Sequence, residues 1–509
     1  MFKKIYCATC IGIEAVGVTV EVDLSNGVGI HIVGLPDSAV RESLLRVITA
    51  FSQYGYHIPG RRIVVNLAPA DIRKEGSSFD LAIAAGMVAV SGQAELALCD
   101  DYVVMGELAL DGAVRTVPGA LPIACYAREA GFKGCIFPKS SAFEATDIDG
   151  LEIYGIDSLA QAVEILSGSP ERHRYLVRKE DRPRLSKTHS HNDFRNVKGQ
   201  KVARRGLEIA AAGSHNLLLI GSPGSGKTMM ASCLPSILPP MTREEAIETS
   251  KIYSVAGHTG CGLMAERPFR SPHHSTSIVS LIGGGQSVSP GEISLAHNGV
   301  LYLDEAAQFG NSLLDALRQP LEDGQVTISR VRYKVRYPSS FMLIASMNPC
   351  PCGYYGDGTG RCNCTRTAVE RYMSRISGPL MDRIDIHLNV KAISSDDLID
   401  SGEGESSADI AARVLEARNR QLHRFRGEGI FTNSQMKPEH LARFCTLTED
   451  QNRFLKEVIR KLNLSARAYS RILKLARTIA DLEGNNFITL QNIAEAVQLR
   501  SLDRENIMD

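Results

Sequence analysis

The chain has 509 residues, 44% of them hydrophobic and 22% charged, a globular balance with room for about three domains. Its 57 basic residues cancel 57 acidic ones, so no global charge favours nucleic acid or a membrane surface, and any polyanion site must be a local patch. Twelve cysteines are not needed as staples in so long a chain, which favours reduced thiols and a cytoplasmic setting, and no window reaches the apolar length of a membrane span.

The opening run, MFKKIYCATCIGIEA, has the lysines and apolar stretch of a short leader. Strand alternation follows and argues against one: Val18, Val20, Val22 and Leu24 share a face, with Thr19, Glu21 and Asp23 on the other. A turn at SNG (25–27) leads to a second strand-like run at 28–33. Residues 37–55 read as a helix capped by Asp37 and ended by Gly55. RRIVVNLAP (61–69) reads as a strand, and SSFDLAIAAGMVAVSG (77–92) as a helix closed by Gly92. Residues 1–168 therefore read as one α/β domain.

From 169 to 197 the chain turns polar and loses any period, which reads as a basic linker. Residues 171–205 hold twelve Lys or Arg against four Asp or Glu, fitting either a solvated tether or a nucleic-acid contact.

Residues 198–390 read as a second α/β unit. The apolar run Leu217–Ile220 meets Gly221, Ser222, Pro223, Gly224, Ser225, Gly226, Lys227 and Thr228, a G-x-x-x-x-G-K-[ST] loop between a strand and a helix. Its glycines let backbone N–H groups close on phosphate oxygens at a helix N-terminus. Lys227 is placed for the β- and γ-phosphates of ATP, and Thr228 for Mg²⁺. In NGVLYLDEAAQF a second apolar strand ends in Asp304 and Glu305. Alone, such a pair also suits a helix N-terminus. Behind a phosphate loop it suits Mg²⁺ binding by Asp304 and activation of water by Glu305. A third apolar run, FMLIASMNPC, ends in Asn348, a side chain able to hold the attacking water.

Between these strands, QVTISRVRYKVRYPSS alternates Arg330, Arg332, Lys334 and Arg336 with Val331, Tyr333, Val335 and Tyr337. In one extended strand the four cations share a face, suiting a phosphate backbone or an inter-subunit ion-pair strand. Directly after Asn348 come Cys350, Cys352, Cys362 and Cys364, spaced C-x-C-x₉-C-x-C. Four thiolates satisfy tetrahedral Zn²⁺; free thiols or an iron–sulfur cluster are the alternatives. Residues 391–509 read as helical, with Ser465 and Thr489 as candidate caps.

The order of phosphate loop, DE strand and strand-end Asn resembles an AAA+ ATPase. FRSPHHS (269–275), GGGQSVSPGEISLAHNGVLYLDEAAQF and SGPLMDRIDIH resemble its magnesium-chelatase-like branch. Over its full length the chain resembles the YifB/ComM family. That resemblance implies an N-terminal Lon-protease-like (S5-like) α/β domain, a central AAA+ P-loop NTPase α/β domain and a C-terminal helical lid. It implies Arg383 as an arginine finger reaching a neighbouring subunit, Arg471 as the sensor arginine of the lid, and a hexameric homo-oligomer. It makes 281–292 an insert loop, whose glycines permit mobility, and turns the basic run into a pore hairpin. The implied activity is an ATP-driven motor on DNA, bound without sequence preference, most like branch-migration helicases. A metal-chelatase motor subunit acting on a protein partner is the alternative, although the chain has no D-x-S-x-S motif. Ser78 falls where a Lon-type nucleophile stands, but Leu121 occupies the place of the lysine base, and no lysine lies between Lys74 and Lys133. A serine without a base is a poor nucleophile, so the domain reads as non-proteolytic.

Overall fold

The computed structural model describes residues 1–182, 192–258, 262–285, 288–329, 334–391, 404–462 and 464–500. Phe2–Ile11 and Glu14–Ser25 form an antiparallel hairpin in register Ile11↔Glu14, turned at Gly12 with φ +67°. The leader-like apolar run is therefore a strand. Ile5, Cys7 and Ala8 are buried because Phe2–Ile11 is an inner strand of a seven-stranded sheet. The spatial order is Ile30–Val33, Arg62–Ala68, Glu14–Ser25, Phe2–Ile11, Tyr102–Val104, Gly134–Pro138 and Glu152–Ile156. Two pairings are antiparallel, those of Glu14–Ser25 with its two neighbours; the rest are parallel.

Helix Ser38–Gln53 is capped as expected, Asp37 accepting from the Val40 N–H at 2.8 Å. Helix Asp80–Val90 starts three residues later than the sequence suggests and is buried at every position. It lies so close to the sheet that a Cβ on Gly86 would stand 2.6 Å from Val22 Cγ2.

The second sheet is parallel throughout, ordered Phe269–Arg270, Val300–Leu303, Met342–Met347, Leu217–Gly221 and Ile386–Val390. Its inner strands are continuous apolar runs because both faces are covered. Leu217, Leu219, Tyr302 and Ile344 face one core, shared with the C-terminal helices. Leu218, Ile220, Leu301, Leu303 and Ala345 face the other. All strands point the same way, so the residues just beyond Ile220, Leu303 and Met347 emerge along one edge.

Gln325–Ser329 pairs antiparallel with Lys334–Pro338, the hairpin that the resemblance implies, so the basic run does not continue as one extended strand with the residues before it. Arg330, Val331, Arg332 and Tyr333 lie outside the described residues. The glycine-rich segment from 281 is a small ribbon rather than an open loop: Gly283–Gly284 pairs with Ser289–Pro290. Glycine is required there for close approach, since a Cβ on Gly283 would stand 2.6 Å from the Ser289 carbonyl oxygen.

The stretch expected as a linker is partly docked. Val177 N–H donates to Ile153 O at 2.8 Å, and Arg182 pairs with Asp147 at 2.5 Å. Residues 183–191 lie outside the described residues. Beyond the second sheet come helices Ser407–Arg424, Pro438–Phe444, Glu449–Lys461, Ala466–Leu482 and Leu490–Gln498. Ser465 and Thr489 cap the last two as expected. Among the described residues no helix is long and apolar enough to cross a membrane.

The two sheet assemblies meet around Ile13, Ile252, Val288, Leu295, Val335 and Tyr337. Beside that contact, helix Arg243–Val255 ends against the start of helix Ala120–Glu129, with Gly119 N–H donating to Ser254 O at 3.0 Å.

Candidate active site

The phosphate loop leaves its strand at Gly221, where a Cβ would collide with the Val390 carbonyl oxygen of the neighbouring strand at 2.3 Å. Gly224 and Gly226 hold φ of +77° and +86°, open to glycine without steric cost. Lys227 begins helix Lys227–Cys233 and folds back over the loop. Its ammonium donates to Gly221 O at 2.7 Å, Ser222 O at 3.0 Å and Asn348 Oδ1 at 3.3 Å. Burial pushes it below the usual lysine value, while the charges of Asp304 and Glu305 oppose the shift.

Asp304 stands one residue beyond its strand. Thr228 Oγ1 donates to its Oδ2 at 3.1 Å. Tyr302 Oη at 2.9 Å, Ser346 Oγ at 2.5 Å and the Glu305 N–H at 3.1 Å donate to its Oδ1. Burial works to raise this carboxyl, and the hydrogen bonds from Ser346, Tyr302 and Thr228 outweigh it, leaving an ionised acid below the usual range. Glu305 takes a left-handed φ of +51°, uncommon for a non-glycine residue and found where a site holds backbone strain. Its carboxylate is exposed and accepts from Gln308.

Asn348 follows the strand Met342–Met347, which lies between the other two and pairs Ile344 with Leu217 and with Tyr302. The four cysteine sulfurs after it lie within 4.8 Å of one another. Cys350 to Cys352 is 3.3 Å, Cys350 to Cys362 3.8 Å and Cys352 to Cys362 3.6 Å. Zn–S bonds of about 2.3 Å in a tetrahedron require sulfurs about 3.8 Å apart, so the donor set fits one ion.

Arg383 and Arg471 sit elsewhere. Both are at the N-terminal end of strand Ile386–Val390, whereas the phosphate loop leaves the C-terminal end of its neighbour. Five residues of strand separate those edges, roughly 15 Å. Arg383 pairs with Glu322. Arg471 donates to Ile384 O at 3.0 Å and lies 3.7 Å from Asp385. The two arginines line one pocket with Asp382, Arg467 and Lys474. Within one chain, Lys227, Thr228, Asp304, Glu305 and Asn348 come together, while the two arginines form a separate cationic edge.

A family model described as magnesium chelatase, subunit ChlI, matches residues 193–398; one for subunit ChlI of Mg-chelatase matches 20–141, and one for the ChlI C-terminal part matches 404–500. The uncharacterized protein YifB of Salmonella typhimurium is 42% identical over 503 residues, 98% of this chain and 97% of that protein. Competence protein ComM of Haemophilus influenzae is 42% identical over 505 residues, with the same coverage of each. The chain belongs to the YifB/ComM family. Its magnesium-chelatase-like family models and its sheet of parallel strands carrying a phosphate loop are those of an AAA+ ATPase, with ATP and Mg²⁺ as the ligands that family implies.

Two site residues escape a reading of the YifB/ComM sequence. Tyr302 and Ser346 lie inside the apolar strands and look like core, yet both anchor Asp304. The available signal is parity: Tyr302 is two residues before Asp304, hence on the same side of its strand. Burial pushes its phenol up to about 12, so it remains a proton donor.

In the hairpin, Lys334 and Arg336 are exposed while Val335 and Tyr337 are buried, Tyr337 Oη donating to Val288 O at 2.6 Å. In the first sheet assembly, Ser78 lies in the turn before helix Asp80–Val90, and Leu121 is buried at the start of its helix, its N–H 3.4 Å from Ser254 Oγ. Lys74 is buried with its ammonium donating to Pro69 O.

Proposed function

We propose that this YifB/ComM protein is an ATP-hydrolysing ring motor that acts on DNA, of the branch-migration type. The observation that carries the reading is the meeting of Lys227 with Asn348 and of Thr228 with Asp304 at the tips of three adjacent parallel strands. Lys227 and the loop N–H groups bind the triphosphate. Thr228 and Asp304 hold Mg²⁺, which neutralises charge on the transferring phosphoryl group when bound. Glu305 orients the attacking water and takes up its proton, and Asn348 fixes that water against the γ-phosphate. Arg383 and Arg471 reach the γ-phosphate of the adjacent protomer; a finger of this kind is worth on the order of 10³-fold or more.

The exposed cations of the hairpin line the pore of a hexamer and track a phosphate backbone without reading bases. Residues 1–168 form a non-proteolytic domain, 198–390 the motor core and 391–509 the lid. Cys350, Cys352, Cys362 and Cys364 hold a structural Zn²⁺. A second reading, the motor subunit of a metal-chelatase-type complex, draws on the descriptions of all three family models. ATPase rates measured alone and with single-stranded, duplex and four-way-junction DNA separate the two. Stimulation by DNA is expected, strongest with the junction; rates indifferent to all three overturn the DNA reading. Elemental analysis checks for one zinc per chain and no iron.

A further inference from the structure

The cysteine loop touches both sides of the phosphate site. It begins two residues after Asn348, and Gly353 packs against Pro223 of the phosphate loop. A Cβ on Gly353 would stand 2.7 Å from Pro223 Cδ, 2.8 Å from Pro223 Cγ and 3.9 Å from Asn348 Cγ. Gly353 is buried and has φ +89°, so its place admits no side chain on either count. Its N–H donates to Cys350 O at 3.0 Å, closing a turn that contains both cysteines of the first pair. The position of Gly353 is thus set by the geometry of Cys350 and Cys352.

The middle of this loop is held by contacts of its own. Residues 349–365 form turns and bends without helix or strand. Arg361 stacks on Tyr354 at 4.3 Å, and Asp357 accepts from Thr359 at 2.9 Å. Both contacts lie within the loop. Ordering an irregular segment of this length is entropically costly, and an ion joining Cys350 and Cys352 to Cys362 and Cys364 closes it at both ends.

We propose that metal held by the four cysteines and nucleotide held by the phosphate loop stabilise each other through the Gly353–Pro223 contact. This inference rests on the metal reading above. With the ion in place, Gly353 backs Pro223 and keeps the loop N–H groups in the arrangement that cradles phosphates. Without it, residues 350–364 lose their closure and the phosphate loop loses its backing. Such coupling is reciprocal: if metal tightens nucleotide binding, nucleotide must tighten metal binding by the same factor.

The test uses the full chain. Zinc content is measured first. Zn²⁺ affinity is then measured by equilibrium competition with a metallochromic chelator, with and without saturating ADP, and affinity for a fluorescent ADP is compared in loaded, stripped and Zn²⁺-reloaded protein. We expect one zinc per chain, Zn²⁺ bound about tenfold more tightly with ADP, ADP bound about tenfold more weakly after stripping, and recovery on reloading. Gly353→Ala is expected to retain zinc, bind ADP weakly and lose the effect of ADP on Zn²⁺ affinity. One zinc per chain with Zn²⁺ and ADP affinities mutually indifferent overturns the coupling and leaves the metal reading intact. Absence of metal, with no uptake of added Zn²⁺, overturns both.

Discussion

The ammonium of Lys227 donates to the amide oxygen of Asn348 across 3.3 Å, although 121 residues separate them in the chain. The contact exists because their strands are direct neighbours, Ile220 pairing with Met347. It brings a cation and an amide together at the mouth of the phosphate loop, where the proposed reading puts the γ-phosphate. Lys227→Ala is expected to abolish measurable ATP binding and turnover. Asn348→Ala is expected to keep binding within a few fold while turnover falls about 100-fold, the usual cost of one misplaced transition-state partner. Nucleotide titration beside phosphate release separates the two effects; equal losses of binding in both variants contradict the assignment.

Much of this site was legible because each part closes an apolar run: Gly221 ends one strand, and Asp304 and Asn348 follow two others, all too hydrophobic to be anything but buried. Tyr302 and Ser346 were hidden by the same pattern, since a polar group inside such a run shows its use only once its neighbour across the sheet is known. The hairpin came only from the family resemblance, since the alternation of cations with apolar residues reads by itself as one extended strand. The docking of 170–182 depends on ion pairs with Asp147, a tertiary partner that no local period reveals. The place of Arg471 beside Arg383 likewise depends on how helix Ala466–Leu482 packs. His215 fixes that packing, bonding Thr478 on the helix at 2.8 Å and Asp385 at the sheet edge at 3.3 Å.

Glu144 is expected to make the junction between the two sheet assemblies sensitive to pH. Ser254 Oγ donates to its Oε2 at 2.5 Å, and burial raises the carboxyl from 4.5 to about 7. Between those values the folded chain keeps a proton that the unfolded chain releases, so stability falls as pH rises, by about 3 kcal/mol over that window. Glu144→Gln removes the titration. Its unfolding midpoint is expected to match the parent near pH 5 and exceed it at pH 8. A parent curve flat from pH 5 to 8 in denaturant unfolding contradicts this.

Lys334 and Arg336 are exposed on a strand whose alternate residues, Val335 and Tyr337, are buried beneath it. Replacing either cation by Ala therefore removes charge without disturbing the hairpin's footing. Each variant is expected to bind single-stranded DNA more weakly at low salt and to lower the slope of log K against log salt by about 0.7. Fluorescence anisotropy across a salt series reads both quantities. An unchanged slope in the double variant places the DNA elsewhere.

Arg383 and Arg471 share one edge of the protomer, opposite the phosphate loop, and this predicts a specific pattern when variants are mixed in one ring. Arg383→Ala and Arg471→Ala should each lower turnover by at least 100-fold while leaving nucleotide binding intact. Lys227→Ala supplies an intact arginine edge and Arg383→Ala an intact phosphate loop, so mixing them should restore activity at the interfaces that combine the two. Mixing Lys227→Ala with Arg471→Ala should do the same. Mixing Arg383→Ala with Arg471→Ala should restore nothing, because every arginine edge in that ring lacks one cation. If Arg471 instead served the nucleotide of its own chain, that last mixture would complement: an Arg471→Ala subunit would lend its Arg383 to a neighbour whose Arg471 is intact. Steady-state ATPase of mixtures at varied ratio decides between the two, and recovery in the double-arginine mixture would remove Arg471 from the shared edge.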